Sequence, residues 1–521
     1  MNRISTQILS LSLGIFLIFS LSLIVSLFFK DHWLWMDEVL SYLLVSDPSL
    51  AHANDALVSG MDANPPLFVN VYWILGHAIS LDFQFLRMVS IVFFALTLAL
   101  FFWYTTTLMG TPLSNFVLIT LIATFTYLNL TLATQVRSYA LFLLISLPYF
   151  IVLHRLIAEP RHRLYLGLFV LLGLGLSLTH NFGLFYLAAS GSFFFLLWLW
   201  SKRQSVYLWP MGAHVLTLLL WAAGWFTRFQ IQTEAGKPHS WIPLPTWQSF
   251  FTTVGELSPM LSYSLEQRSW LAFLPYLRFF GVAFLFVFIL RKKLRDGYAA
   301  FRTDAAFQFY LLSGFIYFST ILISLAVSLV HTSVFISRYL WPNHLLVMFQ
   351  LMYAFYQFYT PPRLSGWYRL APVYALIIGA FVFYQNRKVV HFPKGILSYL
   401  PQMNPRYPVF VETADYFLPI WFHKFPQQVH YLIHWPTAAV PTNILSATVE
   451  HKILKSVREK YQVPGLILAK DFTKANFPHF YVVDESSHYQ MEKFINSQQI
   501  KVVRQLPIDI DGHRLLECTF N

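Results

Sequence analysis

The sequence predicts an α-helical polytopic membrane protein of about eleven transmembrane helices, with a C-terminal extracytoplasmic α/β domain. Three observations carry that prediction. Of 521 residues, 56% are hydrophobic and only 12% charged, about half the charged share of a soluble globular protein. Mean hydropathy is +0.53, too apolar for a water-soluble body of this size. The apolar residues fall into eleven stretches, each near the roughly 20 residues that cross a bilayer core of about 30 Å. They end near residue 384, where polar sequence takes over. The same figures exclude disordered and collagen-like chains. The net charge of +12 is spread over short loops, so it does not point to a nucleic-acid partner. A single cysteine, Cys518, rules out an intramolecular disulfide.

The stretches lie at 8–29, 87–109, 112–131, 137–155, 164–180, 182–200, 206–226, 271–290, 306–330, 338–358 and 369–384. The first has no small-residue cleavage site before Phe28-Phe29-Lys30, so it reads as a retained anchor and not a signal peptide. Lys and Arg set the orientation. With the N-terminus in the cytoplasm, the inner loops hold Arg155, Arg161, Arg163, Lys202 and Arg203, then the cluster Arg291–Arg295 with Arg302, then Arg363 and Arg369. The first outer stretch, 30–86, has seven acids against Lys30 alone. Leu67–Ser80 is helix-like but short and carries Asn70 and His77, which suits a helix on the outer surface better than a twelfth span. Residues 1–384 thus form the membrane part, with outer loops 30–86 and 227–270. Residues 385–521 show strand-like runs at Pro408–Val411, Val429–Ile433, Gly465–Ala469 and Phe480–Val483, with helical stretches between them. A last pair is joined near Asp511-Gly512, a hairpin signal. That alternation predicts a small α/β domain. It has no Gly-rich phosphate loop and no metal-spaced Cys/His set, and the membrane part shows no internal repeat.

The segment richest in chemistry follows the first span: Trp33-Leu34-Trp35-Met36-Asp37-Glu38-Val39-Leu40-Ser41-Tyr42. Two adjacent carboxylates flanked by interface-seeking tryptophans stand where a lipid-borne substrate presents its head group. Paired acids also occur in plain solvated loops, so position carries the functional reading. Asp62-Ala63-Asn64-Pro65-Pro66-Leu67 comes next. Its prolines hold Asp62 and Asn64 at the head of the surface helix, which is also what a structural turn would look like. Arg137 opens the fourth span in Gln135-Val136-Arg137-Ser138-Tyr139-Ala140. His180 closes the fifth in Leu178-Thr179-His180-Asn181-Phe182-Gly183, and Arg338 with Tyr339 opens the tenth. Each alone reads as a snorkelling or capping residue. Together they bring two arginines, an imidazole and a carboxylate pair to one depth on one face, which suits a phosphate-bearing lipid.

In order and sidedness these motifs, with Leu86-Arg87 opening the second span, resemble the GT-C glycosyltransferases that use polyprenyl-phosphate sugars. The pattern is most similar to the protein O-mannosyltransferase family and the bacterial aminoarabinose (lipid A) transferases, over roughly 1–384. The resemblance implies that Asp37 is the catalytic base or acceptor-orienting acid, with Glu38 beside it. It puts Asp62 and Asn64 where relatives carry a second loop motif, in some an acid-lysine-proline whose lysine meets the lipid phosphate. This chain has no lysine there, so Arg137, His180, Arg338 and Tyr339 become the phosphate candidates. Where some relatives carry an acid near the start of span four, this chain has Arg137-Ser138-Tyr139. Loop 227–270, with Gln230, Glu234, Lys237, His239, Trp241 and Trp247, resembles the loop that covers the site in relatives. Trp241 is its sugar-stacking candidate, although a lipid-interface belt uses tryptophan equally.

The implied reaction has a simple physical logic. A carboxylate within reach of an acceptor hydroxyl takes its proton as the oxygen attacks the anomeric carbon. The lipid phosphate leaves as a stable anion, so preorganised positive charge matters more than a general acid. Attack opposite the phosphate inverts the anomeric centre. No cofactor is expected. The mannosyl and aminoarabinosyl relatives imply no metal; oligosaccharyl relatives use one, and Asp37 with Glu38 would be the place for it. The implied setting is a bacterial inner membrane, with the acceptor (lipid, glycan or protein) outside the cytoplasm. A lipid or sugar transporter is the alternative, but it would carry ionisable residues and Gly/Pro breaks in mid-span in matched halves. A sensor built on the outer domain would leave the acid-rich loop without a purpose.

Overall fold

The computed structural model describes residues 3–30, 33–235, 241–260, 269–295, 297–359, 365–390, 392, 395–424, 428–440, 443, 446–485, 491–510 and 512–521. Ten of the eleven predicted stretches each centre on a single α-helix, and 112–131 divides into two. In chain order the helices are α1 (Arg3–Phe28), α2 (Met36–Val45), α3 (Leu50–Ala56), α4 (Leu67–Ala78), α5 (Phe83–Met109), α6 (Pro112–Thr124), α7 (Tyr127–Leu132) and α8 (Tyr139–Ala158). They continue with α9 (Arg163–Thr179), α10 (Gly183–Trp200), α11 (Leu208–Ala235), α12 (Trp247–Gly255), α13 (Leu274–Leu294), α14 (Gly297–Thr303), α15 (Ala305–Val330), α16 (Pro342–Phe358) and α17 (Ala371–Arg387).

Among the described residues, eight helices are long and apolar enough to cross a membrane: α1, α5, α8, α10, α11, α13, α15 and α17. The other three predicted spans are shorter than the sequence suggests. Helices α9 and α16 have 17 residues each, which reach about 26 Å at 1.5 Å per residue. Stretch 112–131 is not one helix. It stops at Phe125, where Thr126 turns its hydroxyl onto the Ile122 carbonyl at 2.8 Å, and restarts as α7. The stretch 67–80, left out of the span count, is the 12-residue helix α4. The α9–α10 turn has no room for a side chain at Gly183, where a Cβ would lie 2.5 Å from the Leu176 carbonyl oxygen. Gly183→Ala is therefore expected to cost about 1–3 kcal/mol, the usual cost of overpacking, seen as a lower thermal midpoint in detergent.

After α17 the chain forms α18 (Ala414–Phe422), α19 (Trp435–Ala438), α20 (Ala447–Tyr461) and α21 (Glu492–Asn496). Between them run strands β1 (Val409–Val411), β2 (Val429–Ile433), β3 (Leu466–Leu468), β4 (His479–Glu485), β5 (Ile500–Leu506) and β6 (His513–Phe520). The strand order is β3-β2-β1-β4-β6-β5. Pairs β1–β2, β2–β3 and β1–β4 are parallel, and β6 runs antiparallel to both β4 and β5. The last connection is no two-residue hairpin. It runs from 507 to 512 with Gly512 at φ 75°, while Asp511 lies outside the described residues.

Side chains alternate across the sheet as the period of two demands. Val409, Val411, Tyr431 and Val483 pack towards α2–α4, while Phe410, Leu432, Phe480 and Val482 form a separate core with Phe472. The first face fastens the sheet domain to segment 33–61. Tyr461 donates its hydroxyl to Asp47 at 2.8 Å, Lys460 pairs with Asp55, and Ser456 meets Ser59. His423 Nε2 accepts the Leu34 N–H at 2.9 Å, with Trp33 stacked between His423 and Phe392. The segment carrying Asp37 is thus held from both sides.

Candidate active site

Helix α2 begins at Met36, so Asp37 and Glu38 sit in its first turn, where the N-terminal end of the helix dipole favours negative charge. Neighbours on a helix point about 100° apart, and here that separates their surroundings. Glu38 is fully buried and forked onto Arg87 of α5, taking Nε at 2.9 Å and Nη2 at 2.6 Å. Its Oε1 also accepts the Val136 N–H at 3.0 Å. This is a structural rivet that engages both carboxylate oxygens of Glu38. Glu38, expected beside Asp37 as a second catalytic acid, is held in a buried ion pair with Arg87.

Asp37 stays partly accessible, and its carboxylate has one ion-pair partner among the described residues, Arg137 Nη2 at 3.6 Å. The Arg137 guanidinium is heavily engaged. Its Nη1 donates to Asp62 Oδ2 at 3.0 Å, to the Ser41 hydroxyl at 3.1 Å and to the Asp37 carbonyl at 3.2 Å. Asp62 Oδ1 accepts both the backbone N–H and the amide Nδ2 of Asn64, each at 2.9 Å. Gln232 of α11 clamps the same turn from outside, donating to the Asp62 and Asn64 carbonyls at 3.1 Å each. Asp62 and Asn64, expected to touch substrate, spend their side chains on each other and on Arg137.

Arg338 presents a different picture. Its guanidinium lies 4.5 Å from the Trp241 ring centre, 5.7 Å from Trp35 and 5.6 Å from Tyr339. No described carboxylate is within ion-pair distance of it, and its Nε has no hydrogen-bond partner. The Tyr139 hydroxyl, Trp35 Nε1, Arg137 Nε and His180 Nε2 are likewise buried and unpartnered. His180 packs against Phe142, Tyr139 and Tyr339 with ring centres 5.0–6.0 Å apart. Its Nδ1 accepts the Phe182 N–H at 3.2 Å, which fixes the proton on Nε2 and leaves the ring neutral. His180 thus offers a neutral N–H donor beside the two arginines.

Within loop 227–270, Trp241 is the one among the described singled-out residues that reaches Arg338. Trp247 is 80% exposed and stacks on Phe251, and Lys237 and His239 lie outside the described residues. The sequence reading missed Tyr139 as a site group, Gln232 as a clamp and Glu256. Glu256 accepts the Ser337 hydroxyl one residue before Arg338. Burial raises its carboxyl above the ordinary range, opposed by Ser337 and by the Arg278 charge. No local spacing announces the Glu256–Ser337 and Gln232–Asp62 contacts, which are made across 81 and 170 residues of chain.

Lys30 sits beneath the Glu38–Arg87 pair, 9% exposed, with Nζ unpartnered. Burial, then the Arg87 charge, pushes its amine down to about 7, with Glu38 opposing. Between about 7 and the unfolded value near 10.5, the unfolded chain keeps a proton that the folded chain gives up, so stability rises with pH through that window. Thermal midpoints measured from about pH 7 to 9 should climb in the wild type and climb less in Lys30→Met. Among the described residues no three His, Cys, Asp or Glu side chains converge as a metal site.

The arrangement can therefore be set beside known proteins. The chain matches the crystal structure of ArnT from Cupriavidus metallidurans bound to undecaprenyl phosphate, with a TM-score of 0.54. The match covers 99% of this chain and 97% of that one. The chain shares the fold of that structure. Only 12% of residues are identical, so the likeness is one of architecture. No family model matches the sequence, and no curated protein does.

Proposed function

We propose that this protein is an integral membrane glycosyltransferase that moves one sugar from a polyprenyl-phosphate donor to an extracytoplasmic acceptor. One observation carries the reading. A partly accessible carboxylate, Asp37, and an unpaired arginine, Arg338, border one cluster of buried, unpartnered polar groups. A base for the acceptor and a cation for a leaving phosphate are what such a transfer needs. The ArnT structure, of the same fold, was crystallised with a polyprenyl phosphate.

Asp37 takes the proton of the acceptor hydroxyl as that oxygen bonds to the anomeric carbon. The bond from carbon to phosphate oxygen breaks on the opposite side, inverting the centre. The lipid phosphate leaves as an anion towards Arg338, the His180 Nε2–H and the Tyr139 hydroxyl, with Tyr339 and Trp241 walling Arg338. Arg137 acts as a positioning residue that sets Asp37 and the Asp62–Asn64 turn. No divalent metal takes part in this scheme. In this reading the N-terminus is cytoplasmic, residues 1–384 form the catalytic membrane domain, and residues 385–521 stand on the extracytoplasmic face, an orientation that the Lys/Arg distribution supports.

Consumption of a polyprenyl-phosphate sugar by the purified protein tests this. Arg338→Gln should weaken binding of polyprenyl phosphate about 10- to 100-fold, the usual loss of a charged hydrogen bond. Tyr139→Phe should cost less, about 10-fold at most. Equal binding by wild type and Arg338→Gln would remove Arg338 from the phosphate site.

A further inference from the structure

A cavity of about 590 Å³ lies apart from the Asp37–Arg338 cluster, between α3, α4, α9 and α11. One wall is apolar: Val58, Leu178, Leu220 and the rings of Trp221 and Trp225. The other carries Asn54, Asn70, Asp55 and Arg228. Asp55 is already neutralised by Lys460. Asn54 Nδ2 donates to Asn70 Oδ1 at 3.0 Å, and the Asn70 amide nitrogen, on a residue that lines the cavity, has no acceptor among the described residues. Arg228 lies 5.7 Å from the Trp225 ring centre and donates to the Gly224 carbonyl at 3.3 Å, with no described carboxylate in ion-pair range. What is left over is therefore one cation and amide donors beside an apolar wall. That wall continues onto α11 leucines exposed on the helix surface, Leu219 at 62% and Leu220 at 45%.

A free arginine near the end of a membrane-length helix, next to an amphipathic cavity open along that helix, matches a lipid with an anionic phosphate head. We propose that the cavity binds an anionic phospholipid of the surrounding bilayer, its phosphate at Arg228 and Asn70 and its first acyl segment along Leu178, Leu220 and Trp221. The site has a route to the chemistry. Gln232 lies one turn beyond Arg228 on α11 and clamps the Asp62–Asn64 turn, and Pro66 of that loop lines the cavity. A bound lipid thus braces the turn that holds Arg137. The proposal does not depend on the transfer reaction, so failure of either leaves the other intact.

Tryptophan quenching tests it on the full-length protein in phosphatidylcholine vesicles. The vesicles would contain either brominated phosphatidylglycerol or brominated phosphatidylcholine. The expected result is stronger, saturable quenching by the anionic lipid, an excess that disappears in the Trp221→Phe/Trp225→Phe protein. Arg228→Gln should weaken that lipid about 10-fold or more, while Arg228→Lys, which keeps the charge, should retain most of the excess. Equal quenching by both lipids, or an excess untouched by Arg228→Gln, would overturn the proposal. So would complete displacement of phosphatidylglycerol by added polyprenyl phosphate, which would give the cavity to the donor lipid.

Discussion

Asp37→Asn is expected to lower the turnover of donor by about 10²- to 10⁴-fold, the range supplied by a positioned general base. Asparagine keeps the size of the side chain and its place in the first turn of α2, but it cannot accept the acceptor's proton. The loss should fall on kcat, with donor binding close to wild type, because the phosphate contacts lie on Arg338 and its neighbours. Asp62→Asn serves as the comparison. It removes one of two charges from Arg137 and leaves Asp37 in place, so its effect should be smaller and should come with a lower thermal midpoint. A double substitution that is no worse than Asp37→Asn alone would show that Asp62 acts through Asp37.

Arg87→Ala should have the largest effect on stability, about 3–5 kcal/mol, because it strands a buried carboxylate. Glu38 is 0% exposed and would keep only the Val136 N–H. Chemical denaturation in detergent measures this, and loss of folded protein on expression would agree with it. Glu38→Gln is the milder counterpart, since the amide oxygen can still accept from Arg87 and Val136. Asp37→Asn, one residue away, should leave stability almost unchanged. That contrast separates the two acids that the sequence presents as a pair.

Much of this architecture could be read from the sequence because lipid imposes a simple rule. Backbone groups in a bilayer must bond within their own helix, so spans announce themselves as long apolar runs. The exceptions are physical too. Stretch 112–131 carries no charged residue, yet Thr126 turns its hydroxyl onto a backbone carbonyl and the helix breaks there. The strands of the tail were visible from β-branched and aromatic runs, while the length of the β5–β6 connection depended on a register that no dipeptide encodes. At the site, the acids of 37–38 and 62 and the arginines at 137 and 338 stood out as charges next to apolar spans. Their division of labour did not. Glu38 turns inward because Arg87 waits 49 residues away. Asp62 is consumed by Asn64 and Arg137, and the neutral state of His180 follows from a single backbone N–H at Phe182. Pair geometry of this kind is decided by the fold.

The central claim is transfer of sugar from a lipid phosphate, and a labelled donor measures it most directly. Purified wild type and Asp37→Asn, reconstituted in vesicles of native membrane lipid, would each be given synthetic polyprenyl-phosphate sugars labelled in the sugar. Wild type is expected to move label from one donor to a product with inverted anomeric configuration, whereas Asp37→Asn binds that donor but leaves the label on it. Donor left intact by the folded wild type, or equal transfer by both proteins, would contradict it.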